Sequence, residues 1–245
     1  MIAYSSLNQI PLIMFKDFLD VDMPLMKPLL QQNFFEAESF PSVRVELGSG
    51  GIEEYFQTLG RHTRKSLRRK IKKTLSLEPI EVKVIDTVEP IIDDVYQLYL
   101  NTYNASTVRF EKLTREFFIN VGRYMSGQAK FFLYYVEGRL AAFNLCFHHQ
   151  DILIDKFIGF DYALTRKYNL YFFSWYKNIE WCLKHSLHFY QVGQTDYEEK
   201  LRLGGHPLPL HVLVRHNNRI INMVLKNISQ LFTPSQNDES LKLHE

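Results

Sequence analysis

Three strand-like segments follow one another between Ala129 and Asp161: AKFFLYYVEG, RLAAFNLCFHH and DILIDKFIGFD. Glu137-Gly138 and Gln150-Asp151 divide them, and two residues is the length of a tight hairpin loop. The region is predicted to be an antiparallel meander. Asn144 and Asp155 are polar positions inside these apolar strands. A buried polar group needs a partner, so each is either a satisfied core group or a site residue that faces inward.

Around the meander the pattern alternates between helix and strand. Ahead of it, a strand over Ile80–Asp86 leads to a helix over Glu89–Tyr103, with Ile92, Val95, Tyr96, Tyr99 and Tyr103 at helical spacing. A second helix, Thr114–Met125, presents Phe117, Phe118, Val121 and Tyr124 as its core face. After the meander come an aromatic helix over Asn169–His185, a short half-buried strand from Phe189, and a strand over Leu208–Val214. A closing helix is predicted over Arg219–Leu231, and the polar tail, residues 233–245, is expected to be disordered. The fold class is α/β in the α+β sense, a mixed and mostly antiparallel sheet flanked by helices.

Residues 1–47 read as a β-α-β segment: a strand over Ile10–Phe15, a short helix over Pro24–Asn33 and a strand over Val43–Leu47. Gly48-Ser49-Gly50-Gly51 is a linker, and the main domain is expected to span residues 48–232. Its first element is a helix over Ile52–Leu75.

Net charge decides little here, but its distribution decides more. The chain has 29 basic and 27 acidic residues, a net charge of +2. Eight of the basic ones fall between Arg61 and Lys73 with no acidic residue among them; without them 21 basic stand against 27 acidic, a net −6. On a helical wheel Arg61, Arg64, Lys65, Arg68 and Lys72 share one face, opposite Phe56, Leu59, Thr63 and Leu67. Such a face is either simply solvated or answered by an anion, because clustered cations repel one another. Phosphates of CoA, of a nucleotide-linked substrate or of tRNA would serve. A dedicated nucleic-acid module is less supported, since no zinc motif, RNP motif or second basic segment accompanies the run.

The remaining inventory is mostly exclusion. Cys146 and Cys182 sit in apolar surroundings and read as buried free thiols. No apolar run reaches the ~20 residues that span a bilayer, and the start lacks the marks of a signal peptide, so a cytoplasmic protein is expected. The nine histidines show no metal-ligand spacing, and no metal is expected. Neither G-x-S-x-G nor H-E-x-x-H occurs, which leaves hydrolase and zinc-protease chemistry unsupported.

One stretch carries the functional reading. From Phe189 to Gly204 the sequence is FYQVGQTDYEEKLRLG, a strand closed by Gly193 and followed by a polar cluster. Gly193 is expected where a Cβ would hinder the backbone. Asp196 or Thr195 would serve as an N-cap if the cluster were only a turn. Gly193, Tyr197, Lys200 and Gly204 give the spacing G-x-x-x-Y-x-x-K-x-x-x-G. With the basic run LGRHTRKSLRRKIKK and the segment VRFEKLTREFF, this resembles the GNAT acyltransferase superfamily over roughly Ser49 to His216. More narrowly it resembles the branch of FemAB-type peptidoglycan aminoacyltransferases and the CelD/BioF2-like acetyltransferase domain.

That resemblance implies transfer of an acetyl or aminoacyl group from a CoA- or tRNA-type donor to an amine, in cell-envelope metabolism. It implies Lys200 as the cation beside the acyl carbonyl, Tyr197 as proton donor to the leaving group, and Asp155 or Asp196 in acceptor deprotonation. Donor contacts fall on Arg166, Lys167, Asn169, Gly193 and Gln194. Contacts to the rest of the substrate fall on Arg64, Arg68, Tyr103, Asn104, Arg109, Asn144 and Asp196. The family's Q/R-x-x-G-x-G/A diphosphate loop aligns with residues 166–171, where Arg166 matches but Asn169 and Tyr171 replace the glycine-like positions. Side chains there crowd a phosphate that glycine would admit, which turns weight from acetyl-CoA toward an aminoacyl-tRNA-like donor, another acyl carrier, or lost catalysis. The alternative function is therefore an inactive module that binds an anionic partner through residues 61–73. FemAB-type relatives have two such lobes, so residues 1–47 are either a remnant of the first or a plain extension.

Overall fold

The structure is a computed structural model, and it describes residues 5, 9–106 and 112–229. It is α+β, with eight strands among the described residues in a mixed, mostly antiparallel arrangement and helices packed on them. The chain divides into two compact units, one from Met1–Val43, Asp196–Leu201 and His206–Glu245, the other from Arg44–Thr195 and Arg202–Gly205.

In the first unit β1 (Leu12–Phe18) runs antiparallel to β8 (His206–His216), with Leu12 opposite His216 and Phe18 opposite His211. A bulge between Phe15 and Phe18 puts Asp17 at φ 70°. Beside β8 lies β2 (Phe35–Glu46), which leaves this unit at Val43. One face buries Ile13, Phe34 and Leu213 under a 3-10 turn (Asp20–Met26) and a short helix, α1 (Lys27–Leu30). The other buries Phe35, Val212 and Val214, with Leu225 of a later helix against them. His211 lies between two carboxylates, Asp20 at 2.5 Å and Glu36 at 2.8 Å, which ties the turn to both strands.

The second unit holds the meander. Its order is β7-β6-β5-β4-β3, from β3 (Glu81–Ile85), β4 (Ala129–Val136), β5 (Arg139–His149), β6 (Ile152–Phe160) and β7 (Phe189–Val192). Pairing is antiparallel from β3 through β6 and parallel between β6 and β7. Glu137 and Gly138 both take positive φ, 52° and 73°, as a two-residue hairpin loop requires. One sheet face packs on α4 (Ile92–Ala105) and α5 (Arg115–Tyr124), around Val95, Leu98, Phe118, Phe131, Leu133 and Phe143.

Several boundaries differ from the sequence reading. The helix expected over Ile52–Leu75 is two helices, α2 (Gly51–Thr58) and α3 (Arg61–Leu75). Leu59 is extended at ψ 143° and Gly60 at ψ 146°, a break that lets Tyr55 and Phe56 of α2 and Leu67, Ile71 and Thr74 of α3 each find the interior. The helix expected over Pro24–Asn33 is the 3-10 turn and four residues of α1, with Pro24 and Pro28 interrupting regular bonding. β2 begins at Phe35, well before Val43; Glu36, Glu38 and Pro41 hid it. Tyr124, expected in the core, is 82% exposed, because α5 ends there and its last residue overhangs the packed face. The remaining helices are α6 (Tyr162–Tyr168), α7 (Leu170–Lys184), α8 (Tyr197–Arg202) and α9 (Arg219–Ser229). The tail over 233–245 lies outside the described residues.

Candidate active site

The β6–β7 ladder stops early. Four pairs join the strands, from Ile152 opposite Phe189 to Asp155 opposite Val192, and there β7 ends. β6 continues through Lys156 to Phe160. The backbone groups of Phe160 are met by side chains of α4: its N–H donates to Thr102 Oγ1 (3.2 Å), and its carbonyl accepts from Asn101 Nδ2 (3.1 Å). Beyond Asp155 and Val192 the two parallel strands are no longer laddered, and an opening of that kind can receive an extended ligand by strand-like hydrogen bonds.

Asp155 sits at the last closed pair. A bulge puts one extra residue, Lys156, between the partners of Leu145 and Cys146. Phe157 therefore packs with Leu145 on the α4–α5 face, while Asp155 turns to the α7 face. Its Oδ2 accepts three hydrogen bonds: from Asn144 Nδ2 (2.7 Å), Tyr190 OH (2.7 Å) and Asn178 Nδ2 (3.2 Å). Asn178 Nδ2 also donates to Tyr190 OH (3.1 Å), and Asn178 Oδ1 accepts from Tyr134 OH (2.7 Å). Asn144 is 1% exposed, and its Oδ1 has no partner among the described residues.

Burial raises the Tyr134 and Tyr190 hydroxyls well above the ordinary phenol range, and the Asp155 charge adds to it. Burial likewise pushes both thiols up, with Asp155 the next cause. Both cysteines are free and buried, as expected. Asn144 and Asp155 were legible as polar breaks in apolar strands. Tyr134, Asn178 and Tyr190 were missed; the signal available was one amide in the otherwise aromatic α7.

The expected donor loop is the corner between α6 and α7. Asn169 takes φ 49°, ψ 41°, the left-handed conformation a glycine would supply. Its Nδ2 turns to Thr74 Oγ1 on α3 (3.4 Å), and Thr74 Oγ1 donates to Tyr168 O (2.7 Å). The Asn169 side chain therefore points at α3 and leaves the corner's backbone shape intact, contrary to the crowding expected there. Tyr171 fills its position with a ring whose centre stands 6.5 Å from that of Phe160 and 5.3 Å from that of Phe172. Lys70 of α3 places its Nζ 3.1 Å from the centre of the Phe172 ring. Arg166 is exposed, and Lys167 bonds Glu137 (3.0 Å), whose carboxyl is held below its ordinary value first by the Tyr168 hydroxyl and then by Lys167.

The other expected site residues scatter. Gly193 and Gln194 directly follow Val192, the partner of Asp155. A Cβ on Gly193 would meet nothing within 4 Å, so the local backbone does not demand glycine, contrary to expectation. Tyr103 packs at the end of α4 against Tyr99, and Asn104 beside it is exposed. Arg64 donates to Gln57 (2.8 Å) and Arg68 pairs with Glu53, both on the outer side of α2 and α3. Asp196, Tyr197 and Lys200 belong to the first unit. There Asp196 is exposed, Tyr197 OH donates to Pro41 O (2.8 Å), and Lys200 is 8% exposed. Arg109 lies outside the described residues.

Comparison with known proteins places this geometry. FemX shares the fold at a TM-score of 0.60 and 10% identity, over 92% of this chain and 78% of that one. The C-terminal domain assigned to a lysylphosphatidylglycerol synthetase from Agrobacterium fabrum gives 0.58 at 13% identity, over 90% and 73%. L-PGS from Bacillus licheniformis gives 0.53 at 10% identity, over 94% and 75%. No curated protein matches the chain. The family model described as an acetyltransferase (GNAT) domain matches residues 61–201, and the chain accordingly belongs to the GNAT acyltransferases.

Proposed function

We propose that this acyltransferase moves an acyl group from a thioester or activated ester to an amine, with the acyl end of the donor lying in the opening between β6 and β7. The observation that carries this reading is the end of the β6–β7 ladder at Asp155 and Val192, five residues before β6 itself ends. Main-chain N–H groups at such a gap can align the donor and stabilise an oxyanion. The amine attacks the acyl carbon, the bond to the leaving sulfur or oxygen breaks, and the amine's proton ends on the leaving group. Asp155 is the carboxylate assigned to that proton's departure from the amine, and Tyr190, Asn178 and Asn144 hold it in place. Tyr103 is assigned to the acceptor side. Gln194, Arg166 and Lys167 are assigned to the donor side.

The donor's identity is the finer part of the proposal. The fold shared with a lysylphosphatidylglycerol synthetase domain supports keeping aminoacyl groups, and a cell-envelope setting, beside acetyl and longer acyl groups. Lys200 and Tyr197 keep the roles that the resemblance implied, cation and proton donor, and are tested separately. The primary test is thermal unfolding with acetyl-CoA, longer acyl-CoAs, acyl-pantetheines and free CoA. A ligand at 100 times its Kd stabilises by about 2.7 kcal/mol, which raises Tm by roughly 5 °C or more in a chain of this size. A thioester shift larger than that of the free thiol is expected. No shift with any thioester, and no thiol release with any amine, would overturn the assignment.

A further inference from the structure

The outer side of α3 has more positive charge than the acyl-transfer chemistry uses. Arg61, Lys65, Arg69 and Lys73 stand four residues apart, so they form one ridge about 18 Å long with about 6 Å between neighbours. All four are exposed, and none has an acidic partner among the described residues. The opposite side of α3 buries Leu67, Ile71 and Thr74, so the ridge cannot roll away from solvent and the helix cannot insert an apolar face into a bilayer. Its direction is fixed by contacts near its C-terminal end, where Thr74 bonds Tyr168 and Lys70 covers Phe172. The ridge therefore leads to the α6–α7 corner beside the opening. There the first turn of α7 has no acidic residue, and Lys70 adds positive charge where the helix dipole is already positive.

Two features bear on the donor: an aromatic side chain, Tyr171, stands where the family's diphosphate loop has a glycine-like residue, and a long cationic ridge approaches the same corner. We propose that the ridge docks an acidic carrier protein that presents its acyl group as a thioester on a phosphopantetheine arm. This rests on the acyltransferase reading and names its donor. The arm's single phosphate meets Lys70 and the first turn of α7, its amides line the parted strands, and carboxylates of one carrier helix meet Arg61, Lys65, Arg69 and Lys73. In the transfer the carrier's C–S bond breaks, the acyl C–N bond forms, and the amine's proton leaves on the carrier thiol. No further reactant is needed.

A folded RNA fits the same ridge less well. Without Arg61–Lys73 the chain carries 21 basic and 27 acidic residues, so a polyanion that extends beyond α3 meets net negative charge. The exposed side of α3 offers no aromatic platform for bases, since the rings of Phe56 and Phe172 are covered by Arg68 and Lys70. A small acidic helix needs only the ridge.

The test measures the affinity of octanoyl-loaded acyl carrier protein, octanoyl-pantetheine, octanoyl-CoA and bulk tRNA for the whole chain at low salt. The same titrations are run on the triple variant Arg61→Glu, Lys65→Glu, Arg69→Glu, whose fold is checked by circular dichroism. The loaded carrier is expected to bind at least tenfold more tightly than octanoyl-pantetheine and octanoyl-CoA. The variant is expected to lose that advantage and to keep its pantetheine affinity. A carrier that binds no tighter than pantetheine, or an advantage that survives charge reversal, overturns the proposal while leaving the acyltransferase reading standing. Tighter binding of tRNA, lost in the variant, overturns it in favour of nucleic acid. If none of the three thioesters binds, the proposal and the reading beneath it fall together.

Discussion

Tyr190 of β7 donates its hydroxyl hydrogen to Asp155 of β6 across 2.7 Å, reaching from two residues before Val192 to the residue that closes the last pair of the ladder. The bond spans neighbouring parallel strands at the floor of the opening, where the ladder gives its last support. Removing it should show how far the opening depends on its floor. Tyr190→Phe deletes one donor to Asp155 and the acceptor used by Asn178, and is expected to cost about 1–2 kcal/mol. Asp155→Ala strands three donors at once and should cost at least about 2 kcal/mol more. Urea midpoints measure both, and losses that simply add in the Tyr190→Phe, Asp155→Ala double variant would mean that the two side chains are not energetically linked.

Alkaline pH should weaken the fold for a stated reason. The folded Cys146 and Cys182 thiols are raised above the ordinary 9.0, and the Tyr134 and Tyr190 phenols above the ordinary 10.0, chiefly by burial. The folded chain keeps these protons where the unfolded chain releases them, so their contribution is complete below about pH 9 and declines as pH rises. Urea midpoints should fall from pH 8.5 to pH 10.5, and replacing both cysteines by alanine should flatten the part of the slope nearest pH 9. At pH 8 a disulfide-type thiol reagent should label neither cysteine until the protein unfolds.

Two glycines offer a contrast of equal chemistry and unequal surroundings. A Cβ on Gly159 would lie 2.3 Å from Phe143 Cε1 and 2.7 Å from the Leu98 carbonyl carbon. Gly159→Ala should therefore destabilise by about 1–3 kcal/mol, since neither the packed ring nor the helix backbone can yield freely. Gly193→Ala meets open space and should stay within about 0.5 kcal/mol of wild type. Melting temperatures of the two variants decide it, and any large loss of turnover in Gly193→Ala would point to a ligand that approaches that backbone closely.

Lys200→Met tests the ammonium assigned to the acyl carbonyl. The residue is 8% exposed, and methionine keeps an unbranched chain one atom shorter and without the charge. Turnover is expected to fall about 100-fold or more with an unchanged circular dichroism spectrum. A variant that keeps full turnover removes Lys200 from the chemistry.

Much of the second unit was legible because its signals are local. The meander, its two-residue loops and the strand from Phe189 each declare themselves within a dozen residues. The split of α2 from α3 did not, because Leu59 fits the apolar side of one continuous wheel and the extended backbone of Leu59 and Gly60 is what interrupts the helix. Tyr124 also fits its wheel and is exposed because the helix ends there. Within the site, Asp155 stood out as a charge among apolar neighbours, whereas Asn178 and Tyr190 acquire meaning only when α7 and β7 converge on it. The grouping of residues 196–201 with the N-terminal strands is wholly non-local. No periodicity could have announced it.

The early end of β7 has one more consequence. An opening set by the length of a strand is written in the chain's architecture, and the side chains around it are free to vary. Mutation can then redraw the chemistry of the lining, one residue at a time, without first having to invent a cleft. Proteins 10–13% identical to this one share its fold, so an architecture of this kind tolerates almost complete replacement of its side chains.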